Sequence, residues 1–304
     1  MIYRYIMYDY IIKANRPCKY LREISNSKFY NIQNIIEIKI HNNDVKTNDN
    51  DVKTNDDVFR YKYTESGMIG IWKGIHYYMN FEEHNIEVYC GEDDDAYLFI
   101  LNIPLSILLA YDDKLIFHSS NLLINGNLYS FSGPKGVGKS TITAILSQKS
   151  DVILFSDDTI CIDVNNSSVY SNYYVTKYTK HTLDILKLTN CFTNNCLDYK
   201  NNKYINKILY TGGAYDISRL QICYLFRDNI FYNIIVTNKF AQIDLFLRNI
   251  VGIKYCNKKM REKIVNNVYN LFGRCDYKSQ IINMPNIGNF NKELIKNKLL
   301  NILV

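Results

Sequence analysis

The 304-residue chain opens in short alternations of apolar and polar positions. Residues 3–12 (YRYIMYDYII) and 35–40 (IIEIKI) are dense in β-branched and aromatic side chains and predict half-buried strands. Further strands are expected at 58–63, 70–79, 86–90 and 97–101. Between them NDVKTND is repeated in tandem over 43–56. Such a polar repeat buries no apolar area, so the span near 42–57 is expected to be a solvated or disordered insert rather than a structural repeat. Residues 1–111 thus read as a β-rich N-terminal region that shows no chemistry of its own.

From residue 112 the pattern changes. KLIFHSS (114–120) is strand-like, and NLLINGNLYSFSG (121–133) predicts a hairpin around Asn125-Gly126, a strong turn dipeptide. STITAILSQ (140–148) carries apolar residues at 142, 145 and 146 and predicts a helix. DVILFSDD (151–158) is a short apolar strand ending in two carboxylates, and TICIDV (159–164) continues extended. LQICYLF (220–226) and NIIVT (233–237) predict strands, while FAQIDLFLRNI (240–250), KKMREKIVNNVYNLF (258–272) and NKELIKNKLLNIL (291–303) predict helices. In the second of these helices Met260, Ile264, Val265, Val268, Leu271 and Phe272 share one face. This order predicts an α/β fold over 112–304, preceded by a sheet.

Composition narrows the function classes. A hydrophobic share of 47% and a charged share of 22% are those of a globular protein. The longest apolar run, Tyr97 to Tyr111, is interrupted by Asn102 and Pro104 and is too short to span a bilayer, and the first residues lack a signal-peptide pattern. A cytoplasmic location and no membrane partner are therefore expected. The eight cysteines include no C-x-x-C pair, and no histidine stands at zinc spacing from Cys191 and Cys196, so reduced, mostly buried thiols are expected. Residues 171–304 hold 20 Lys+Arg against 8 Asp+Glu, a net of +12, whereas residues 1–170 carry a net of −6. No stripe of interleaved arginines and aromatics marks a nucleic-acid surface. The basic half suits an acidic partner or phosphate groups, and a general drift toward lysine explains it equally well.

The chemistry concentrates in one segment. Gly133-Pro134-Lys135-Gly136-Val137-Gly138-Lys139-Ser140 matches G-x-x-x-x-G-K-[ST], between a predicted strand and a predicted helix that begins at Ser140-Thr141. Glycines at 133, 136 and 138 let successive N–H groups face a phosphate at the positive end of the helix. Lys139 is placed to reach the β- and γ-phosphates of ATP, and the Ser140 hydroxyl to ligate Mg²⁺. Asp157 and Asp158 follow Lys139 by one helix and one strand, which returns the chain beside the loop. One carboxylate can then hold Mg²⁺ with Ser140, while the other accepts a proton from an attacking hydroxyl. Asp157 is assigned to the chemistry and Asp158 to the metal, although spacing alone leaves the two interchangeable. His118 precedes Gly133 by 15 residues, and Arg219, Arg227 and Arg274 are candidates to neutralise transition-state charge. A small-molecule kinase and a non-catalytic nucleotide switch are the rival readings. The first usually begins with the phosphate loop; the second lacks an N-K-x-D element, since Ala241 replaces the Asp in TNKFAQ.

Taken together, His118, the loop Gly133-PKGVGKST and LFSDD resemble the catalytic domain of the bacterial HPr kinase/phosphorylases and their wider set of related proteins. The resemblance is specific over about residues 112–163, and ISRLQICYLF with FAQIDLFLRNI is similar to the later part of those kinases. It implies a kinase core with a mixed sheet of the HPr kinase type over 112–304, and ATP- and Mg²⁺-dependent phosphoryl transfer to a hydroxyl, usually a serine of a peptide or protein. By the same resemblance one of Asp157 and Asp158 is the base and His118 a supporting polar group. The glycine-rich stretch that HPr kinase/phosphorylases carry after the paired Asp is replaced here by SNYYVTKYTKHTL, which argues against HPr itself as acceptor. Some relatives in ribosomal-peptide gene clusters phosphorylate a precursor peptide, an acceptor class the resemblance also implies.

Overall fold

The computed structural model describes residues 2–18, 20–24, 32, 34–42, 59–90, 96–171, 175–179, 182–184, 203–207, 214–228, 230–274, 277–285 and 292–303. The tandem repeat at 43–56 and Cys191, Cys196 and Cys275 lie outside them. The chain divides into two compact units, Met1–Leu115 with Val251–Ile264, and Ile116–Ile250 with Val265–Val304.

The first unit holds β1 (Tyr3–Met7), β2 (Tyr10–Ala14), β3 (Arg22–Glu23), β4 (Ile35–His41), β5 (Arg60–Tyr63), β6 (Gly67–Trp72), β7 (Ile75–Asn80), β8 (Asn85–Tyr89), α1 (Ala96–Ile100) and α2 (Ile103–Tyr111). Its strands form one sheet in the order β3-β1-β2-β4-β8-β7-β6-β5. β2, β4 and β8 run parallel, and the remaining neighbours are antiparallel. The period of two is kept: Tyr5, Met7, Ile12, Ile36, Ile38, Ile86 and Val88 are all buried.

Three expectations change here. The span 3–12 is a hairpin, reversing after Met7 where Tyr8 takes a positive φ. Residues 70–79 likewise belong to a hairpin whose loop, Lys73-Gly74, has positive φ at both residues, the geometry of a tight type I′ turn. Residues 97–101, expected as a strand, are almost entirely in helix α1. A short apolar run does not separate strand from helix by period, and tertiary packing decides: Phe99 stacks on Trp72 at 4.8 Å and tilts against Phe59 at 5.4 Å. Pro104 then sits in the first turn of α2, whose residues from Pro104 to Ala110 are all buried.

The second unit contains β9 (Lys114–Phe117) from Ile116 onward, β10 (Ser119–Ile124), β11 (Asn127–Ser132), α3 (Lys139–Leu146), β12 (Val152–Ser156), β13 (Ile160–Asp163), β14 (Ser168–Ser171), β15 (Val175–Thr179), β16 (Lys203–Lys207), β17 (Tyr215–Asp216), β18 (Leu220–Asp228), β19 (Tyr232–Ile235), α4 (Lys239–Leu247), the part of α5 (Lys258–Arg274) after Ile264, β20 (Lys278–Pro285) and α6 (Lys292–Leu303). Its main sheet runs β12-β10-β11-β18-β20-β19. β11, β18 and β20 are parallel, and β10, β12 and β19 pair antiparallel with their neighbours. Leu122, Phe131, Cys223, Leu225 and Ile282 on one face form a core with Ile142 and Leu146 of α3 and Leu299 and Leu303 of α6. A smaller sheet is ordered β17-β14-β13-β9, and β15 pairs with β16.

The five described cysteines are all buried, and burial pushes the Cys223 and Cys256 thiols up to about 12, which leaves them unreactive. Among the described residues no helix is long and apolar enough to cross a membrane.

Candidate functional site

The expected hairpin forms with its turn at Asn125-Gly126, both at positive φ, and pairs Ser119 with Ser132 and Ile124 with Asn127. β10 also pairs with β12, setting Asn121 opposite Ser156. The start of β10 therefore lies between the end of β11, where Gly133 follows, and the end of β12, where Asp157 and Asp158 follow. The Ser119 N–H donates to the Asp158 carbonyl at 3.2 Å, and Ser132 Oγ donates to the His118 carbonyl at 2.8 Å. His118, the loop and the two carboxylates are thus gathered at one end of the sheet by strand pairing alone.

The loop has the backbone that its glycines permit. Gly133, Gly136 and Gly138 have φ of 142°, 82° and 106°. At Gly133 there is a second constraint: a Cβ there would lie 2.5 Å from the Leu225 carbonyl oxygen of β18, so a side chain would push the loop off the sheet. Gly138 starts α3 without a side-chain cap, which leaves the helix N–H groups facing the loop. Lys139 is buried and donates to the carbonyls of Gly133 and Pro134 at 2.9 and 3.2 Å. Pro134 and Lys135 are exposed, Val137 is packed into the core, and Ser140 is half-buried. Thr141 shares a 2.9 Å hydroxyl contact with Thr182.

The two carboxylates differ. Asp157 is buried, and its Oδ1 accepts from Ser120 Oγ at 2.8 Å; the same hydroxyl lies 2.6 Å from Thr143 Oγ1 in α3. Asp158 has φ of 78° and a side chain 44% exposed, with Oδ1 3.6 Å from His118 Nδ1. Burial pulls the His118 imidazole below its ordinary 6.5, helped by the positive charge of Lys139 and opposed by Asp158 and Asp157. The ring is accordingly neutral at pH 7, and Nδ1 and Nε2 offer one donor and one acceptor.

Beneath this end lies a buried polar network that neither motif nor spacing announces. Asn121 Oδ1 accepts from Ser119 Oγ at 2.9 Å and from Ser130 Oγ at 2.6 Å. Its Nδ2 donates to Ser156 Oγ at 2.9 Å and to the Ser119 carbonyl at 3.0 Å. One side chain thereby ties β10, β11 and β12 together directly under the loop and the carboxylates. The signal was present as Ser119-Ser120-Asn121 inside an otherwise apolar run, where polar residues on a buried strand need partners.

Of the three arginines, Arg227 belongs to the loop: its Nε donates to the Val137 carbonyl at 3.3 Å, and its Nη2 lies 3.8 Å from where a Gly138 Cβ would be. Arg219 stands near Gly126, at the opposite end of β11, and Arg274 donates to the Val164 carbonyl at 3.4 Å. Neither is near the loop's glycines in these contacts.

The donor set suits a hard cation. Mg²⁺ takes oxygen ligands, commonly one or two carboxylates together with phosphate oxygens and water. Ser140 with Asp157 or Asp158 supplies such oxygens, and the glycine backbone leaves a cradle at the N-terminus of α3. Among the described residues no group of three or more His, Cys, Asp or Glu gathers as a metal cage.

No family model matches the chain, and no curated protein matches it. Among solved structures it is similar to the Hpr(Ser) kinase/phosphatase from Coxiella burnetii, at 14% identity and a TM-score of 0.24, over 61% of this chain and 88% of that one.

Proposed function

We propose that the protein is an ATP- and Mg²⁺-dependent kinase related to the HPr kinases, transferring the γ-phosphoryl group to a hydroxyl, a serine by the resemblance, of a peptide or protein. The observation that carries this reading is the junction of the glycine loop with the paired carboxylates through β10, where Ser120 bonds at once to Asp157 and to the helix that the loop opens. Backbone N–H groups of the loop would hold the β-phosphate, and Lys139 would leave the loop carbonyls for the phosphate oxygens. Mg²⁺, when bound, neutralises charge on the transferred group and would be held by Ser140 with one of the two carboxylates. The other carboxylate takes the proton from the acceptor hydroxyl, with neutral His118 beside Asp158 as a polar support and Arg227, which donates to the loop at Val137, as a further cationic group.

The test is incubation of the purified chain with γ-labelled ATP, Mg²⁺ and extract or peptides from its own source. Label on a serine of one peptide or protein is expected, and it disappears in Lys139→Ala and Asp157→Asn while circular dichroism stays unchanged. Transfer that survives both substitutions overturns the mechanism. Free phosphate with no labelled peptide or protein points instead to a small-molecule kinase or a nucleotide switch.

A further inference from the structure

The edge of the main sheet at β19 differs from the β5 edge of the first unit's sheet. Among the described residues no strand pairs with its outer side. The edge strand β5 carries Arg60 and Lys62, the kind of charged edge by which proteins deter unwanted pairing. From residue 229 to 238, by contrast, the sequence reads NIFYNIIVTN and holds neither a charge nor a proline. All four residues of β19 are exposed, and so are Ile230 before it and Phe240 after it. Ile235 and Phe240 keep 71% and 72% of their surface in solvent.

Register defines what this edge offers. β19 pairs antiparallel with β20, Tyr232 opposite Asn283 and Ile235 opposite Gln280, and the Val236 N–H donates to the Ser279 carbonyl at 2.9 Å. Hydrogen-bonding direction alternates along an antiparallel strand, so Tyr232, Ile234 and Val236 direct their main-chain groups to β20. Asn233 and Ile235 direct theirs outward. The same alternation puts Tyr232 and Ile234 on one face and Ile235 on the other, so an added strand would meet apolar side chains on both faces.

Charge selects the occupant. Lys239 and Lys278 lie at one end of the edge and Lys298 at the other, over the Phe231 ring at 5.0 Å, while Arg227 and Asp228 stand two strands in, on β18, with Arg227 turned to the Val137 carbonyl. Asp228 is the one acidic residue in this set. A second copy pairing antiparallel would bring one basic end against the other. An apolar strand with acidic ends is complementary at both.

We propose that β19 is a docking edge that takes, as an added strand, an extended peptide segment of β-branched apolar residues flanked by Asp or Glu. The edge is three strand spacings from β11, about 14 Å at ~4.8 Å each. A segment docked there leaves the loop end of the sheet open to a residue farther along the same polypeptide. In the kinase reading it is the docking segment of the acceptor, and this last step alone rests on that reading.

The experiment is selection from a displayed library of random peptides on the full chain, followed by anisotropy with the selected peptide, synthesised and labelled. Apolar peptides with acidic flanks are expected, binding at least tenfold weaker to Ile235→Pro and to Ile234→Lys. The Ile235 N–H faces outward, so proline there leaves the ladder to β20 intact, and an unchanged melting temperature checks each variant. Lys239→Glu with Lys278→Glu should weaken binding severalfold. Selection of no peptide above the Ile235→Pro background, or equal binding to both variants, overturns the proposal. So does sedimentation showing a wild-type dimer that Ile235→Pro dissociates, which would make a second copy the occupant. Extending the peptide with a serine-containing tail separates the two claims: docking without phosphorylation, in a chain that labels its source extract, removes the acceptor role of the edge and leaves the docking edge standing, whereas docking by a chain that labels nothing in the extract removes the kinase reading alone.

Discussion

Replacing Asn121 with leucine tests whether the buried polar network holds the site together. The side chain is fully buried and makes four hydrogen bonds of 3.0 Å or shorter, to two hydroxyls at Oδ1 and to a hydroxyl and a carbonyl at Nδ2, besides a long 3.5 Å one to the Ser156 carbonyl. At about 1 kcal/mol net each, their loss removes roughly 4 kcal/mol. Leucine, branched like asparagine but bulkier, recovers some transfer energy, but Ser119 and Ser130 must find other acceptors in a dry interior, at about 1–3 kcal/mol for any group left unpaired. A net loss of about 3–5 kcal/mol follows, a large part of the ~5–15 kcal/mol that holds a domain. Urea unfolding reads it directly: with m near 1–3 kcal/mol/M, the midpoint falls by on the order of 1–3 M. Ser130→Ala, which removes one of the four bonds, should cost only about 1 kcal/mol. Under native conditions the variant should also lose catalytic rate, since a shift of ~1 Å between loop and carboxylates costs about 10²-fold. A change below about 0.5 kcal/mol with turnover intact would refute the reasoning, because backbone pairing would then suffice to align the three strands.

Gly133→Ala combines a positive φ with a Cβ 2.5 Å from the Leu225 carbonyl, so a loss of about 2 kcal/mol or more and at least tenfold weaker ATP binding are expected by melting and calorimetry. His118 titrates below its unfolded value in the folded chain, so unfolding takes up a proton as pH drops below 6.5. Stability from this group is complete above that pH and falls below it, and His118→Gln should flatten the slope of urea midpoint against pH in that window. Arg227→Ala should lower turnover far more than it lowers stability, while Arg219→Ala, near the opposite end of β11, should leave turnover unchanged in the same assay. Asp157→Asn and Asp158→Asn should differ in kind: one raises the Mg²⁺ concentration needed for half-maximal rate, and the other lowers the rate at saturating Mg²⁺.

Elements whose signal is local were legible in the sequence. Asn125-Gly126 fixed its hairpin, and the 3.6-residue period over Met260 to Phe272 marked a helix. Residues 3–12 and 70–79 hid their turns because Tyr8 and Lys73-Gly74 interrupt runs that are otherwise strand-like. The run Tyr97 to Leu101 was ambiguous by period, and only Phe99 packing on Trp72 decides for a helix. At the candidate site the glycines, Lys139 and the Asp pair announced themselves by type and spacing. The partition between buried Asp157 and half-exposed Asp158 did not, since it depends on a positive φ at Asp158 and on Ser120 from a neighbouring strand. Ser119-Ser120-Asn121 marked a polar interruption of a buried strand, but not its partners, which come from three strands that the sequence alone does not bring into register.

The first unit is not contiguous. Its segment Val251–Ile264 returns to it after the chain has traversed Ile116–Ile250, and there Tyr255 packs on Phe59 at 4.7 Å and accepts from Tyr63 OH at 3.2 Å. During synthesis, Leu115 leaves the ribosome roughly 150 residues before Ile264 does. At ~5–20 residues per second that is a wait of about 8–30 s. Throughout it the aromatic face formed by Phe59, Tyr61 and Tyr63 lacks its closing residue. A truncation that ends at Leu115 freezes the protein in this interval, so expressing the N-terminal region alone should yield a chain prone to aggregate, and adding back residues 251–264 in trans should relieve it.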